Sequence, residues 1–445
     1  MDITLYNLNE TDFALTESRL NALGFLNIIQ KGLNNKTIKP FIEIKNIPMI
    51  HDYNDIINKF KKANITPLSK SIEKNFNNNN TYNISFIFNL NNNLLIIGNG
   101  FDLEHDLKTH YTDFFDTINN NVSSKNEIIL NNNKYLIKDN NKYLIKDNNL
   151  LLYLIKEYKQ NKLQGNNWID IETELKKIIS LIEEININNF IDNMSYYSGD
   201  EYTTIKKIQS KSSYYFKNCL FPFIIGNNYY KYINEHYNIS IKILEKDLNE
   251  LTNMLRDYLL EQDISNLTKT KDISDIDYKI THVLSFNYTD TFRKIYSDID
   301  DDKIDFIHGS LNKNNLVLGI NETLTEDTAN KIVDTVYFKK YFQRIYKKTD
   351  YKYVSWLDPT DYKNYADFDT VYIHGHSLDE SDKEILEKII NSVLKKYTPT
   401  VKIFYYDEKH YRQEVTNLIK ILGKDVFQKY YFQNRIIFIK QTPKR

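Results

Sequence analysis

Four short segments of this 445-residue chain place chemically capable side chains directly after an apolar run. The first is 94-LLIIGNGFDLEH-105, in which Gly98-Asn99-Gly100 and then Asp102 follow the hydrophobic stretch. Such a loop lets the backbone approach a ligand closely. A helix starting there aims its free N–H groups and its dipole at a phosphate. The spacing is G-N-G-F-D, not G-x-G-x-x-G, because Leu103 stands where a third glycine would be, and a plain tight turn is the commoner meaning of such a motif alone. The second is 284-LSFNYTDTF-292, where the amide of Asn287 suits the holding of a hydroxyl or a water; a turn or cap is the alternative. The third, 306-FIHGS-310, puts His308 twenty-one residues after Asn287. An imidazole titrates near neutrality, as a general base requires, although a lone strand-end histidine is more often structural. The fourth is 372-YIHGHSLDESD-382, whose Gly375, His376, Ser377 and Asp382 combine close backbone approach with polar partners. Asp382 reads equally well as a first-turn acid or cap on the next helix.

These segments must be positioned by strands. Seven apolar or β-branched runs recur from residue 94 onward: LLIIG (94–98), HVLSFN (282–287), IDFIHG (304–309), LVLG (316–319), TVYIHG (370–375), VKIFYYD (401–407) and RIIFIK (435–440). Runs of this length without clean alternation suit central strands of a parallel sheet covered on both faces. Helical patterns lie between them. In 380–397, Ser381 and Glu384 have capping-box spacing, and Ile385, Ile389 and Val393 share a face. The stretch 408–422 is helical and stops at Gly423. The expected fold is therefore α/β, doubly wound and mostly parallel. Five of the eleven glycines (Gly98, Gly100, Gly309, Gly319, Gly375) and three of the nine histidines (His308, His374, His376) close these runs. Ligands of such folds bind outside the carboxyl ends of the strands, so the rim is where a nucleotide site is expected.

The separation between the first and second strands, about 105–280, is too long for a loop. Amphipathic patterns at 168–185 (Trp168, Ile171, Leu175, Ile178, Ile182 and Ile185 on one stripe) and at 240–262 mark it as a helical insertion. NKYLIKDN occurs at 133–140 and again at 141–148, which reads as a duplicated hairpin or loop, too short for a solenoid. Residues 1–90 form an appendage with helical fragments at 19–33 and 54–63 and a strand-like run at 82–90; residues 91–445 are the main domain.

Composition narrows the class. Hydrophobic residues make up 41% and charged residues 26%, which describes a globular protein in water. The 58 basic and 59 acidic residues balance, so no strong pull toward nucleic acid or anionic lipid is expected. No apolar run approaches the ~20 residues that span a bilayer, and the polar N-terminus does not read as a signal peptide. Cys219 is the only cysteine, which excludes an internal disulfide and a Cys-ligated zinc site and fits a cytoplasmic location.

In order, IIGNGFD (96–102), W-x-D-x-E (Trp168 to Glu172), SFNYT (285–289), IHG (307–309) and GHSL (375–378) with Asp382 resemble the AbiH-type bacteriophage abortive infection family. That family in turn resembles the SIR2-like domains of bacterial defence proteins, whose Rossmann-type fold binds NAD. The resemblance implies that Asn287 positions a ribose or attacking water and that His308 is catalytic. It further implies that Gly98, Asn99 and Gly100 form the pyrophosphate loop. Gly375 and Ser377 would form the loop that receives phosphate or ribose near the adenosine side, His376 and Asp382 would belong to the same cofactor-binding set, and Asp102 would face the nicotinamide ribose or amide. Glu172 reads more simply as a surface acid. The implied activity is hydrolysis of NAD⁺ at the nicotinamide–ribose bond, with NAD as substrate and no metal. Sirtuin-type zinc-dependent deacylation is not expected, since that class needs four cysteines. A non-hydrolytic NAD or ADP-ribose sensor and a nuclease-type toxin are the alternatives. A homo-oligomer is the family-level expectation, and a phage-derived or defence-system trigger is not legible in the residues.

Overall fold

The computed structural model describes, in nearly continuous runs, residues 92–124, 149–163, 170–184, 229–262, 267–277, 280–321, 334–358 and 368–442, together with Tyr215, Leu220, Ala366 and seven strands elsewhere. Five of those strands lie in the first ninety residues: β1 (Asp2–Tyr6), β2 (Ile28–Lys31), β3 (Phe41–Pro48), β4 (Thr66–Asn75) and β5 (Thr81–Asn89). They form one sheet in the order β2-β1-β3-β5-β4. The strand-like run at 82–90 is β5. By contrast, Ile28–Lys31, expected as the end of a helical fragment, pairs in parallel with β1. Two adjacent β-branched residues, Ile28 and Ile29, favour that extended pairing over a helix. The fragment at 54–63 lies outside the described residues.

The main sheet is built from β6 (Asn93–Ile97), β9 (Ile280–Ser285), β10 (Ile304–Phe306), β11 (Thr370–His374), β12 (Thr400–Tyr405) and β13 (Ile436–Lys440). The intervening β7 (Glu127–Leu130) and β8 (Asn133–Leu136) pair only with each other, and β8 carries the start of the first NKYLIKDN copy. The six core strands are all parallel, in the order β10-β9-β6-β11-β12-β13. In chain order this is 3-2-1-4-5-6, the doubly wound Rossmann arrangement, and its order reverses between β6 and β11. Ile97 is registered between Ser285 on one side and His374 on the other, so the three loops after those strands leave the sheet side by side. Six of the seven apolar runs are thus strands. LVLG (316–319) is not: it is a buried extended segment tied by Val317 N–H to the His308 carbonyl at 2.8 Å and by Leu318 N–H to Gln343 Oε1 at 3.1 Å.

Alternation along β6 explains why both sheet faces are covered. Leu94 and Ile96 pack with Val371, Ile373 and Val401 under two helices; Leu95 and Ile97 pack with Val283, Phe292 and Tyr372 on the other face. All four β6 side chains are fully buried, each worth roughly 1.5–3 kcal/mol as an upper bound. That anchor fixes the loop that follows β6. Helix α1 (Asn99–Glu104) starts immediately after it, and α2 (Tyr111–Ser124), α3 (Asn149–Leu163), α4 (Ile171–Glu184) and α5 (Tyr229–Leu260) make up the described helices of the insertion. Ile171, Leu175, Ile178 and Ile182 form the expected stripe of α4 and pack against Leu151, Leu154 and Leu248; Trp168 and Ile185 lie outside the described residues. The same core takes in Leu311, Leu316 and Leu318, so the insertion docks on the loop that follows β10. The remaining helices used below are α6 (Lys340–Tyr346), α7 (Lys383–Leu394) and α8 (Glu408–Leu422). Gly423, with φ +82°, ends α8 as its sequence indicates. No helix among the described residues is long and apolar enough to cross a membrane.

Candidate active site

The strand-order reversal brings two glycine loops into direct contact. Gly375 leaves β11 with φ +65°, and a β carbon there would sit 2.1 Å from Phe101 N. A β carbon on Gly98 would meet the Gly375 carbonyl and His376 Cα at 2.8 Å. Gly100 N–H donates to the Gly375 carbonyl at 2.8 Å, Gly98 N–H to His374 at 3.2 Å, and Phe101 N–H to Gly98 at 2.9 Å. Glycine at 98 and 100 therefore serves backbone-to-backbone approach, and two N–H groups of the expected pyrophosphate loop, together with that of Phe101, are engaged within the protein. Asn99 accepts a 2.6 Å hydrogen bond from Thr109 through Oδ1.

A second loop is stitched to this seam. The Asn287 amide donates to the Gly98 carbonyl at 2.9 Å. Beneath it, Thr289 Oγ1 donates to Asp102 Oδ2 at 2.5 Å, and Thr291 Oγ1 donates to Thr289 Oγ1 at 3.0 Å. Asn287 and Asp102 thus form one buried polar group that holds the β6 and β9 loops together.

His308, at the end of β10, belongs to a neighbouring group centred on Asp382. His308 Nε2 lies 3.4 Å from Asp382 Oδ1 and His376 Nε2 lies 3.6 Å from Asp382 Oδ2. His376 Nδ1 accepts from Leu378 N–H at 2.9 Å, which puts the proton on Nε2, facing the carboxylate. Phe286 packs edge-on against both imidazoles. Asp382 stands at the N-cap position of α7, as its sequence allows, but its side chain makes no capping bond, and the Ser381–Glu384 capping box does not form; Asp379 Oδ1 instead accepts from Ser381 N–H at 2.9 Å. The cap falls to Asp379, which frees the Asp382 carboxylate for the histidines. Two cations from one face of α6 complete the group. Arg344 comes within 4.0 Å of Asp382, and Lys340 pairs at 2.7 Å with Glu172 from the insertion helix α4. His308 Nδ1 and Arg344 Nε are buried with no hydrogen-bond partner among the described residues, and Asp382 Oδ1 has only its long contacts to His308 and Arg344. Buried polar atoms without partners cost about 1–3 kcal/mol each, and two of them stand here beside the Asp382 carboxylate.

The family model for bacteriophage abortive infection AbiH matches residues 94–405. The chain belongs to the AbiH family. That membership places it in anti-phage abortive infection. No curated protein and no solved structure matches the chain.

Electrostatics sharpen the roles available in this AbiH core. Burial, then the nearby Lys340, holds the His308 imidazole down to about 4 despite the opposing Asp382, so it is neutral near pH 7. Burial also lowers His376. For Asp382, burial is outweighed by Lys340 and the two imidazoles, and its carboxyl stays below the usual range. Burial works against the Lys340 ammonium, but Glu172 and Asp382 raise it above its ordinary value. Burial pushes Glu172 up to about 7 against the pull of Lys340, although a quarter of its side chain is exposed. Burial raises Asp102 to about 6, opposed by Thr289, Thr291 and Asn287. With Asp382 anionic, His308 carries its proton on Nε2 and presents a free Nδ1 lone pair.

Of the residues singled out in the sequence, the structure gathers Gly98, Gly100, Asp102, Asn287, His308, Gly375, His376 and Asp382 at the switch point. Ser377 is exposed, and its carbonyl accepts from Asn417. Glu172, expected on the surface, enters the cluster because α4 points its first turn at α6. Lys340 and Arg344 were missed; their four-residue spacing, which aligns side chains on one helix face, was the available signal. Glu104, Asp272 and His374 also bring three potential metal-binding atoms within 4.8 Å of one another, on the Leu95 face of the sheet, where both Asp272 oxygens are taken by Thr442.

Proposed function

We propose that this AbiH chain is an NAD⁺ glycohydrolase that depletes the dinucleotide during infection. The observation that carries the reading is the neutral, Asp382-backed His308, with a free Nδ1, at the switch point of a 3-2-1-4-5-6 sheet. In the reaction the bond between ribose C1′ and nicotinamide N1 breaks and its electron pair leaves with neutral nicotinamide. A water oxygen bonds to C1′ and gives its proton to His308 Nδ1, so the products are nicotinamide, ADP-ribose and a proton. Asp382 steadies the imidazolium that forms, and the base is worth roughly 10²–10⁴-fold. His376 holds the other Asp382 oxygen. Lys340 and Arg344 supply charge for the pyrophosphate, which makes the Glu172–Lys340 pair the contact that substrate must displace. Asn287 acts by positioning: it fixes the glycine loop against which the ribose is held. Asp102, buried beside it, offers a carboxyl able to change protonation near neutrality.

The same cations and imidazoles would also serve cleavage of a phosphate ester, which keeps a nucleotide-cleaving toxin as the second reading. Purified protein incubated with NAD⁺, NADP⁺ and RNA, with products separated chromatographically, distinguishes them. Nicotinamide release that disappears in His308→Ala and Asp382→Asn, with folding intact, supports the glycohydrolase. Release of AMP or of shortened RNA with nicotinamide still attached rejects it. Silence in vitro is followed by nicotinamide measurement in infected cells, and unchanged NAD⁺ there also rejects it.

A further inference from the structure

An open cleft lies against the loop that follows His308. Its volume is about 390 Å³, within the range of small-molecule sites. Three elements line it: the insertion helix α5 with Asn249, Asn253 and Arg256, the 311–316 loop with Lys313 and Asn315, and Lys347 just past α6. No carboxylate is in the lining; Asp257, buried behind it, lies 3.3 Å from Arg256, and Asp301 is within electrostatic reach of Lys313. Arg256 Nε is buried with no hydrogen-bond partner among the described residues. Lys347 donates to the Leu316 carbonyl at 2.6 Å, and no carboxylate among the described residues pairs with it. Burial pushes its ammonium down to about 8, a penalty that a bound anion would relieve.

The cleft wall is rigidly made. Ser310 N–H donates to Asn315 Oδ1 at 2.9 Å, Val317 N–H bonds the His308 carbonyl, and Gly309, at φ +80°, lies against the Asn315 backbone. Converging cations select a phosphate, and flanking carboxamides offer donors and acceptors for a base or sugar. We propose that this cleft is a second binding site, separate from the His308–Asp382 cluster, for a phosphorylated small molecule of nucleotide size. It does not depend on the glycohydrolase reading, because ADP contains no nicotinamide bond.

Titration calorimetry of the full chain with ADP, inorganic pyrophosphate and a ten-base single-stranded RNA tests it. ADP and pyrophosphate are expected to bind, and Arg256→Gln and Lys347→Gln each to weaken ADP by about tenfold or more, with Lys420→Gln, on the exposed face of α8, leaving it unchanged. Should Lys347→Gln fail to fold, Lys313→Gln takes its place, since Lys313 is exposed. The site is refuted if neither anion binds, if Arg256→Gln and the lysine variant leave affinity unchanged, or if Lys420→Gln weakens it as much as they do. Displacement of ADP by RNA that binds more tightly also refutes it, in favour of a nucleic-acid surface.

Discussion

Replacing Gly375 by alanine tests whether the two glycine loops are interlocked. The new β carbon would lie 2.1 Å from Phe101 N and 2.5 Å from Gly100 C, well inside ordinary contact, and both neighbours are backbone. Relief requires the start of α1 to retreat by roughly an ångström, an overpacking cost of about 1–3 kcal/mol. The retreat also breaks the Gly100–Gly375 hydrogen bond, about 0.5–1.5 kcal/mol, and the left-handed backbone adds about 1–2 kcal/mol. The expected loss is about 3–6 kcal/mol, a large share of a typical domain's stability. Gly423→Ala is the control: its φ is also positive, at +82°, but nothing lies within 4 Å. It pays only for backbone strain, about 1–3 kcal/mol. Urea unfolding of both variants beside the parent measures the difference, and nicotinamide release measures whether the site survives. If the two alanines shift the urea midpoint equally, the interlock is not what holds the rim together.

Four other outcomes follow from the same geometry. Glu414 is buried and its Oε2 has no partner among the described residues; burial raises it from 4.5 to about 8, so the folded state holds a proton the unfolded chain releases, and stability falls as pH rises through that window. Glu414→Gln should therefore gain on the order of 3 kcal/mol over the parent by pH 7 and little at pH 4.5, read by urea unfolding at both; a gain independent of pH contradicts the assignment. Lys340→Met should cost about 3–5 kcal/mol by stranding Glu172 and Asp382, and adding Glu172→Gln should restore part of it in a double-mutant cycle. The limb of nicotinamide release that belongs to His308 should lie near pH 4, leaving any inflection between 6 and 7 to Asp102 and Glu172; an inflection near 6.5 that survives Asp102→Asn with Glu172→Gln would mean an ordinary, exposed imidazole. Ile178→Ala, at the heart of the insertion core, should lower stability by about 2–5 kcal/mol in a thermal melt.

The parts of this architecture legible in the sequence are those with a local cause. Apolar runs ending in glycine, asparagine or histidine marked six strands because a buried parallel strand must be apolar on both faces. LVLG carried the same signal without being a strand, since an apolar segment can be buried by helices alone, here by docking against α6 and the insertion. The strand-end residues were visible because their types are costly or unusual where they stand. Lys340 and Arg344 were not, because cations on an amphipathic helix read as a solvated face, and only the docking of that helix against the 316–318 segment, with Glu172 and Asp382 facing it, turns them inward. Asp382 was ambiguous for a similar reason: Asp379 and Asp382 both stand at N-cap positions, of a short turn and then of α7, and only the Asp379 side chain makes the capping bond, which leaves the Asp382 carboxylate to meet the histidines.

The strand that centres the sheet has consequences for when this protein can act. β6 is made first, yet its neighbours are translated 188 and 277 residues later, as the Asn93–Thr281 and Asn92–Asp369 bonds record. At roughly 5–20 residues per second, a ribosome needs on the order of half a minute to supply the second flank. Until then LLIIG has two bare edges and the glycine seam has only one half. A nascent chain that stops short of residue 369 thus lacks an assembled switch point, and its unpaired strand edges are of the kind that chaperones cover.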